Sequence, residues 1–339
     1  FRSTGDISIP EDLIEEIGRL YGYYNIPSQL PPPITKKQYE NKSRKFEHSL
    51  REYLANIGLY EAVNYSFYGP ETAEACDLSL SNHIVLSNGL SKEASHMRTS
   101  LLPGMLENLK ANHQQAKPLQ FFEIGRTYTE IGNFFPAEEL KLAIILESES
   151  ENFFQLKGIV QSILDKYNYK SIKLQASKQS SQNQHPHKIL DIISSDKQEL
   201  GQIFGVSPVT LKNMDLNPNS FVSYAHINLG HLEHLPNNNI KLKPISKFPE
   251  ISFDVSVVID QNTNYQEIYK QIHKSSDLIT NINLFDNYTG PNIQENQKAL
   301  AFKITLQSLD RTLEDSDLHN AQTQIFANLE KIGGTIRGK

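Results

Sequence analysis

Tryptophan is missing from this chain of 339 residues, and cysteine occurs only once, at Cys76. A single thiol excludes an intramolecular disulfide and a cysteine-based zinc site, and it indicates a reducing compartment. No apolar run approaches the length of a membrane span, and no segment resembles a signal peptide. The formal net charge of -6 argues against nonspecific binding of nucleic acid, although a local basic surface is compatible with it.

Motifs of common catalytic sites are missing as well. The sequence contains no P-loop, no dinucleotide-binding glycine pattern, no H-E-x-x-H and no G-x-S-x-G. His226, His231 and His234 lie close in sequence, but Glu233 is the only carboxylate among them. The sequence therefore predicts no catalytic residue in this chain and no histidine-based metal site.

Three segments follow one another along the chain, and together they predict an α+β protein. Residues 1–34 contain a helix pattern from Asp6 to Leu20 and a proline-rich linker. Residues 35–236 alternate helices with strands of uneven length. Residues 237–339 follow an Asn- and Pro-rich linker and predict the order β-α-β-β-α-β of a ferredoxin-like fold. Because the first residue is Phe1 and not Met, we interpret the chain as the C-terminal part of a longer polypeptide.

The middle segment offers several local patterns. The stretch EAVNYSFY predicts a strand, and SKQSSQNQHPHK, which holds His185 and His187, predicts a polar loop. Apolar stripes occur at Phe46, Leu50, Leu54 and Ile57, on a helix ending at Gly58, and within residues 97–109. Such stripes fit contact with a partner subunit, but filling the internal core is their commoner role.

Four carboxylates crowd the first helix, at Asp6, Asp12, Glu15 and Glu16. Acids in a first turn favour the positive end of the helix dipole, which explains Asp12. Asp12, Glu15 and Glu16 also lie near one another on a helical turn, and oxygen ligands of this kind suit Mg²⁺. The residues alone leave both interpretations open and favour the helix-dipole role.

Segments spread over nearly the whole chain resemble the beta subunit of bacterial phenylalanyl-tRNA synthetase. They are EDLIEEIGRLYGYYNIP, SNGLSKEASHMRTSLLPGMLENLKAN, FFEIG, KFPEISFDVSVVID, NINLFDNYTG and DRTLEDSDL, in that order. The resemblance implies the tail of a winged-helix-like domain in residues 1–34. It implies a noncatalytic, catalytic-like module on the class II synthetase fold in residues 35–236, and a ferredoxin-fold anticodon-binding domain in residues 237–339.

The resemblance also implies partners and a metal. An alpha subunit would perform the ATP-dependent attachment of phenylalanine to tRNA(Phe), and this chain would scaffold a cytoplasmic alpha2beta2 heterotetramer and help to recognise the anticodon. The spacing of Asp6, Asp12, Glu15 and Glu16 resembles the family's Mg²⁺ site, which is shared with the alpha subunit. With the resemblance added, a metal is favoured over a helix cap.

The arginines agree with a noncatalytic module. A site that activates an amino acid with ATP needs fixed bidentate donors for the phosphates. Arg98 and Arg126 are the only arginines of residues 35–236 that follow the first helix of that segment, and each lies beside apolar residues. A structural ion pair is therefore the role we predict for both.

Asp286 is the leading candidate for reading the anticodon, which begins with guanine. A carboxylate can accept two hydrogen bonds, from the N1–H and N2–H2 groups of guanine, and no other base offers that pair of donors. Tyr288 is close enough to stack on a base. Weaker candidates flank the partner strand, at Lys298, Ala299 and Asp310.

The strand pattern around Asp286 conflicts with this role. Strict alternation from Ile282 and Leu284 would turn Asp286 toward the helices, so a bulge or twist near the turn at Gly290 is needed. Two structural alternatives stay open: Phe285 as a core residue, and a buried ion pair between Asp254 and Arg337.

Two other functions are compatible with the sequence. One is a single-chain synthetase of the mitochondrial type, which joins a true catalytic domain to the same ferredoxin-like module. The other is a non-enzymatic RNA-binding scaffold. From Ser246 to Lys339 there are 9 Lys/Arg against 12 Asp/Glu, a net charge of -3, so an RNA contact there must be small and specific.

Overall fold

The computed structural model of the protein describes residues 5–30, 39–89, 91–115, 117–132, 135–177, 179–233, 235, 244–290 and 293–337. The chain divides into two units, Phe1–Asn238 and Asn239–Lys339. The three-part division expected from the sequence stays a prediction, because its boundaries after residues 34 and 236 fall outside the described ranges. Within those ranges, no helix is both long and apolar enough to cross a membrane.

Helices of the first unit begin at residues that suit a helix start. Pro10 occupies the first helical position of the first helix, and the Asn41 side chain accepts a hydrogen bond of 3.1 Å from the Arg44 N–H at the start of the second. The helices are α1 (Pro10–Tyr21), α2 (Lys42–Asn56), α3 (Pro70–Ala75), α4 (Leu102–Ala111), α5 (Phe153–Lys166), α6 (Pro208–Asn213) and α7 (Leu229–Glu233).

Strands of the first unit form one large sheet and one small one. They are β1 (Tyr60–Glu61), β2 (Phe67–Tyr68), β3 (His96–Met97), β4 (Leu119–Thr129), β5 (Ala137–Ser148), β6 (Lys173–Ala176), β7 (Gln184–Ile193), β8 (Glu199–Val206) and β9 (Phe221–Asn228). Among the described residues, seven strands pair in the order β1-β4-β5-β9-β8-β7-β6, with β1 parallel to β4 and the other neighbours antiparallel. Strands β2 and β3 pair with each other.

Strand β5 is buried on both faces and joins two hydrophobic cores. Leu142 and Ile144 pack with the apolar sides of α2 and α5, whereas Ala143 and Ile145 pack with α4. Alternate side chains of a strand point to opposite faces, so helices cover both sides of the sheet. This explains the continuous apolar run of residues 142–146 in the second half of β5.

The apolar stripes considered for a partner subunit lie mostly in these cores. Leu50 and Leu54 of α2 are fully buried, as are Met105, Leu106 and Leu109 of α4. The core role, which was the alternative, is therefore the correct one for these side chains. Ile57, just after α2, is 39% exposed and is the exception.

Two local predictions are wrong. Residues 62–66 of the stretch EAVNYSFY are not a strand; two carbonyl oxygens of that segment accept from Arg98 instead, Ser66 from its N–H at 2.9 Å and Tyr65 from its Nη1 at 3.4 Å. The polar loop ends earlier than predicted, since His185 and His187 belong to β7. The β7–β8 register shifts between Gln184 and Ile189, around Pro186, which has no N–H to donate.

The second unit confirms the ferredoxin-like prediction. Its elements follow in the order β10 (Ile251–Asp260), α8 (Tyr265–His273), β11 (Ile279–Tyr288), β12 (Gln297–Leu306), α9 (Asp315–Lys331) and β13 (Thr335–Arg337). The antiparallel sheet has the order β11-β12-β10-β13. Ile268 and Ile272 of α8 and Ile325 and Leu329 of α9 form one core with Phe302 and its neighbours in the sheet. Both helices thus pack on one face of the sheet.

A buried ion pair lies at the centre of the first unit. Arg98 Nη1 is 2.6 Å from Glu123 Oε1, and the two side chains are 7% and 4% exposed. Glu123 Oε2 accepts from Asn64 Nδ2 at 2.7 Å, and Arg98 Nε donates to the Arg126 carbonyl at 2.8 Å. Arg126 pairs with Glu138 at 3.4 Å on the surface. The prediction of structural ion pairs is confirmed for both arginines.

Replacing Arg98 by methionine should strongly destabilise the first unit. Arg98→Met leaves the Glu123 carboxylate buried without its cation, and breaking such a pair costs about 3–5 kcal/mol of the free energy of unfolding. Urea denaturation of the full chain, followed through the transition of the first unit, measures the loss.

Two matched variants control this measurement. Arg126→Met removes one partner of an exposed pair and should cost about 0–1 kcal/mol. The double variant Arg98→Met/Glu123→Leu removes both buried charges and should be more stable than Arg98→Met alone. If Arg98→Met lowers the free energy of unfolding as little as Arg126→Met does, the Arg98–Glu123 pair is not the buried, stabilising ion pair that we describe.

Candidate functional site

The acids of the first segment are held by local interactions at the start of α1. Asp12 Oδ2 accepts hydrogen bonds from the backbone N–H groups of Ser8 at 2.7 Å and Ile9 at 3.0 Å. These two bonds, that from Ser8 first, lower the pKa of the Asp12 carboxyl below its usual value. Glu16 pairs with Arg19 at 2.7 Å. Asp12 therefore caps the helix in the way that the residues alone favoured.

The four acids do not come together as a metal centre within this chain. Among the described residues, which include Asp6, Asp12, Glu15 and Glu16, no group of three His, Cys, Asp or Glu side chains could hold a metal ion. The arrangement of this chain alone thus does not fit Mg²⁺. His234, one of the three neighbouring histidines, lies outside the described residues.

The second unit contains the bulge that the role of Asp286 requires. Leu284 pairs with Phe302, but the next pair is Asp286 with Ala301, so the register shifts by one residue at Phe285. Directly opposed residues of an antiparallel pair point to the same face. Because Phe302 is a core residue, Ala301 and Asp286 point to the face opposite the helices. Asp286 is exposed there.

Tyr288 and Ala299 share that face with Asp286. Tyr288 is two residues beyond Asp286 and pairs with Ala299, two residues before Ala301. The ring of Tyr288 is 40% exposed. Its hydroxyl end lies over Gly290, where an added Cβ would be 2.4 Å from Tyr288 Oη. A side chain at residue 290 would push the ring from this position.

Two of the weaker candidates do not join this group. Lys298 pairs with Ile259, a fully buried core residue, so its side chain leaves the sheet on the helix face, where Nζ donates to the Thr263 carbonyl at 2.7 Å. Asp310 follows Leu306, the last residue of β12. Leu306 is roughly 17 Å from Ala301 at about 3.4 Å per residue, so Asp310 lies near the opposite end of the sheet.

Both structural alternatives at this sheet are wrong. Phe285 is 55% exposed and is therefore not a core residue. Asp254 is exposed, so a buried ion pair with Arg337 does not occur. Phe285 is the extra residue of the bulge, directly beside Asp286, and the conflict of Asp286 with strict alternation was the signal in the sequence that pointed to this bulge.

A cavity of about 320 Å³, lined by both polar and apolar side chains, lies beside the buried ion pair of the first unit. Among the described residues that line it, Arg98 is the only cation, and Glu93 and Glu107 are exposed acids. The Arg98 guanidinium already donates through Nη1 to Glu123 and through Nε to the Arg126 carbonyl, and Glu123 neutralises its charge, which disfavours a role as phosphate donor. The carboxylates would repel a phosphate as well. The cavity does not have the chemistry of an ATP site.

Two family models match the chain. A model described as the phenylalanyl tRNA synthetase beta chain CLM domain matches residues 26–229, and a model of the ferredoxin-fold anticodon binding domain matches residues 246–337. A solved pyrrolysyl tRNA synthetase from Desulfitobacterium hafniense aligns with 16% identity and a TM-score of 0.46, covering 56% of this chain and 67% of that one.

Curated relatives carry the name phenylalanine–tRNA ligase beta subunit. The relative from Listeria monocytogenes serotype 4b is 30% identical over 348 residues, covering 98% of this chain and 42% of its own length. The relative from Vibrio parahaemolyticus is 31% identical over 353 residues, with 98% and 43% covered. The chain thus spans about two fifths of the length of these relatives. Because the first family model covers more than half of the chain, the chain belongs to the phenylalanyl-tRNA synthetase beta chain family.

Proposed function

We propose that the chain acts within the beta subunit of a cytoplasmic phenylalanine–tRNA ligase, where it scaffolds an alpha subunit and reads the anticodon of tRNA(Phe). The observation that carries the proposal is the bulge in β11, which puts Asp286 and Tyr288 on the uncovered face of a ferredoxin-like sheet. Family membership supports a partner subunit and a tRNA substrate. The alpha2beta2 stoichiometry is part of the proposal.

Asp286 supplies the specificity in this proposal. Its carboxylate accepts from N1–H and N2–H2 of the first anticodon base, which only guanine offers as a pair. Tyr288 stacks on the same base or on its neighbour, and stacking tolerates any base. Ala299 lies beneath Tyr288 and contributes a small, apolar floor.

Removal of the Asp286 carboxylate should abolish the preference for guanine. In the enzyme assembled with its alpha subunit, Asp286→Ala should lower kcat/KM for tRNA with guanine at the first anticodon position by about 10- to 100-fold, which corresponds to losing hydrogen bonds to a charged acceptor. Aminoacylation of tRNA with adenine at that position should change little. Tyr288→Phe, which keeps the aromatic ring, is the control. If Asp286→Ala keeps its full preference for guanine, Asp286 does not read the first anticodon base.

The chemistry is assigned to the alpha subunit, and an exposed apolar edge of the first unit is our candidate for its contact. Tyr60 of the edge strand β1 is 71% exposed, and Val63 and Tyr65 just beyond it are 89% and 81% exposed. An edge strand with exposed apolar side chains favours association. A subunit seated there covers both the rings and the unpaired strand edge.

Phenylalanine-dependent pyrophosphate exchange with ATP should therefore require the alpha subunit. The pair of changes Tyr60→Ser and Tyr65→Ser should weaken co-elution of the two subunits, because it removes apolar area from the proposed contact. Phe154→Ser, which changes a ring of α5 that is 73% exposed, is the matched control. Exchange by this chain alone, or co-elution unaffected by the double change, would contradict the respective part of the proposal.

Mg²⁺ belongs to this proposal only in the assembled enzyme, where the alpha subunit would add oxygen ligands to those of α1. Asp12 and Glu16 have local partners in this chain, so the ion would have to compete with them. Oxygen ligands and retained waters are what Mg²⁺ prefers.

The combination Asp12→Asn with Glu15→Gln distinguishes a metal ligand from a helix cap. If the acids bind Mg²⁺, the variant should need more Mg²⁺ than the parent to assemble with the alpha subunit. Size-exclusion chromatography over a Mg²⁺ titration measures this. An unchanged Mg²⁺ dependence would leave the acids with the capping role alone.

A further inference from the structure

Phe285 is a large aromatic side chain exposed at an edge of the second unit. It is 55% exposed, whereas Phe302, on the neighbouring strand, is fully buried in the core. Within residues 244–290 and 293–337, strand β11 is the edge of its sheet, with no further strand beside it. Single exposed apolar side chains are common on protein surfaces, so the position of this ring beside Asp286, and not its exposure alone, is the reason to consider a role for it.

The register places this ring next to the carboxylate of Asp286. In a bulge, two residues of one strand oppose a single residue of its partner. Here Phe285 is the extra residue, and Asp286 is the partner of Ala301. The alanine side chain fills little space above the sheet, so the surface beside the two side chains stays open. Tyr288 lies on the other side of Asp286, about 10 Å from Phe285 at roughly 3.3 Å per residue.

We propose that Phe285 is a base-stacking residue and takes a nucleobase of single-stranded RNA next to the base that Asp286 binds. The inference rests on the proposed function, in which the anticodon lies on this face. A phenyl ring has no hydrogen-bonding group and cannot tell one base from another, but it binds the flat face of any of them. The bulge residue thus supplies affinity, and its neighbour Asp286 supplies the choice of base.

The lack of tryptophan in this chain makes a direct test available. In the full chain, Phe285→Trp introduces a single tryptophan, whose fluorescence should be quenched when a base stacks on it. The probes are two RNA hairpins of the tRNA(Phe) anticodon arm, with guanine or adenine at the first anticodon position. We expect saturable quenching with both hairpins, because stacking does not depend on the base.

Leu309→Trp is the matched control. Leu309 is 59% exposed in the same unit, but it follows β12 near the opposite end of the sheet from Ala301. Its tryptophan should not be quenched by either hairpin. Quenching of equal size in the two variants would indicate nonspecific contact and overturn the proposal.

Binding measurements separate this inference from the proposed function. Phe285→Ala should weaken the binding of both hairpins by the same factor, about 5- to 150-fold for one stacked base. Asp286→Ala should remove the preference for guanine. An unquenched Phe285→Trp that still prefers guanine through Asp286 overturns the stacking role alone. Quenching without a guanine preference refutes Asp286 as the reader and supports stacking, and no binding of either hairpin overturns both.

Discussion

The buried pair of Arg98 and Glu123 sets the limits of what the first unit can do. Two charges taken out of water need each other and further hydrogen bonds, since their desolvation costs several kcal/mol per ion. Asn64 and the carbonyl groups of Tyr65 and Arg126 supply those bonds. The segment before β2 thus supplies acceptors to the arginine, and the Nη1 and Nε groups of the same guanidinium are already bound beside the neighbouring cavity.

The same ion pair also explains why residue 125 is a glycine. A Cβ on Gly125 would lie 2.3 Å from Arg98 Nη2, so only glycine lets the guanidinium reach across β4 to Glu123. The FFEIG segment is thus explained here by packing around a structural charge.

Sequence reasoning succeeded where one physical pattern dominates. The continuous apolar run of β5 and the stripe of α2 are set by burial, so their elements could be predicted. It failed where the role of a side chain depends on a partner that only the folded structure brings near. Alternation with Leu300 and Phe302 places Lys298 on the helix face, but nothing in the sequence shows that its Nζ meets the Thr263 carbonyl there. The spacing of the acids did not show that the Asp12 carboxylate accepts from the backbone N–H groups of Ser8 and Ile9, because these bonds depend on how the chain enters α1.

The charge of the second unit explains why such a site depends on one inserted residue. The uncovered face carries Asp254 and Asp286 with Lys303 and Arg337, so it has no surplus of positive charge to attract RNA. Without long-range attraction, binding there has to come from stacking and from hydrogen bonds of fixed geometry. A regular strand would turn Asp286 into the core, and the bulge at Phe285 prevents this at the edge of the sheet, where a disturbed ladder disrupts no second neighbour. In the function that we propose, this face would therefore discriminate between bases, and the affinity for the body of a tRNA would come from other parts of the assembled enzyme.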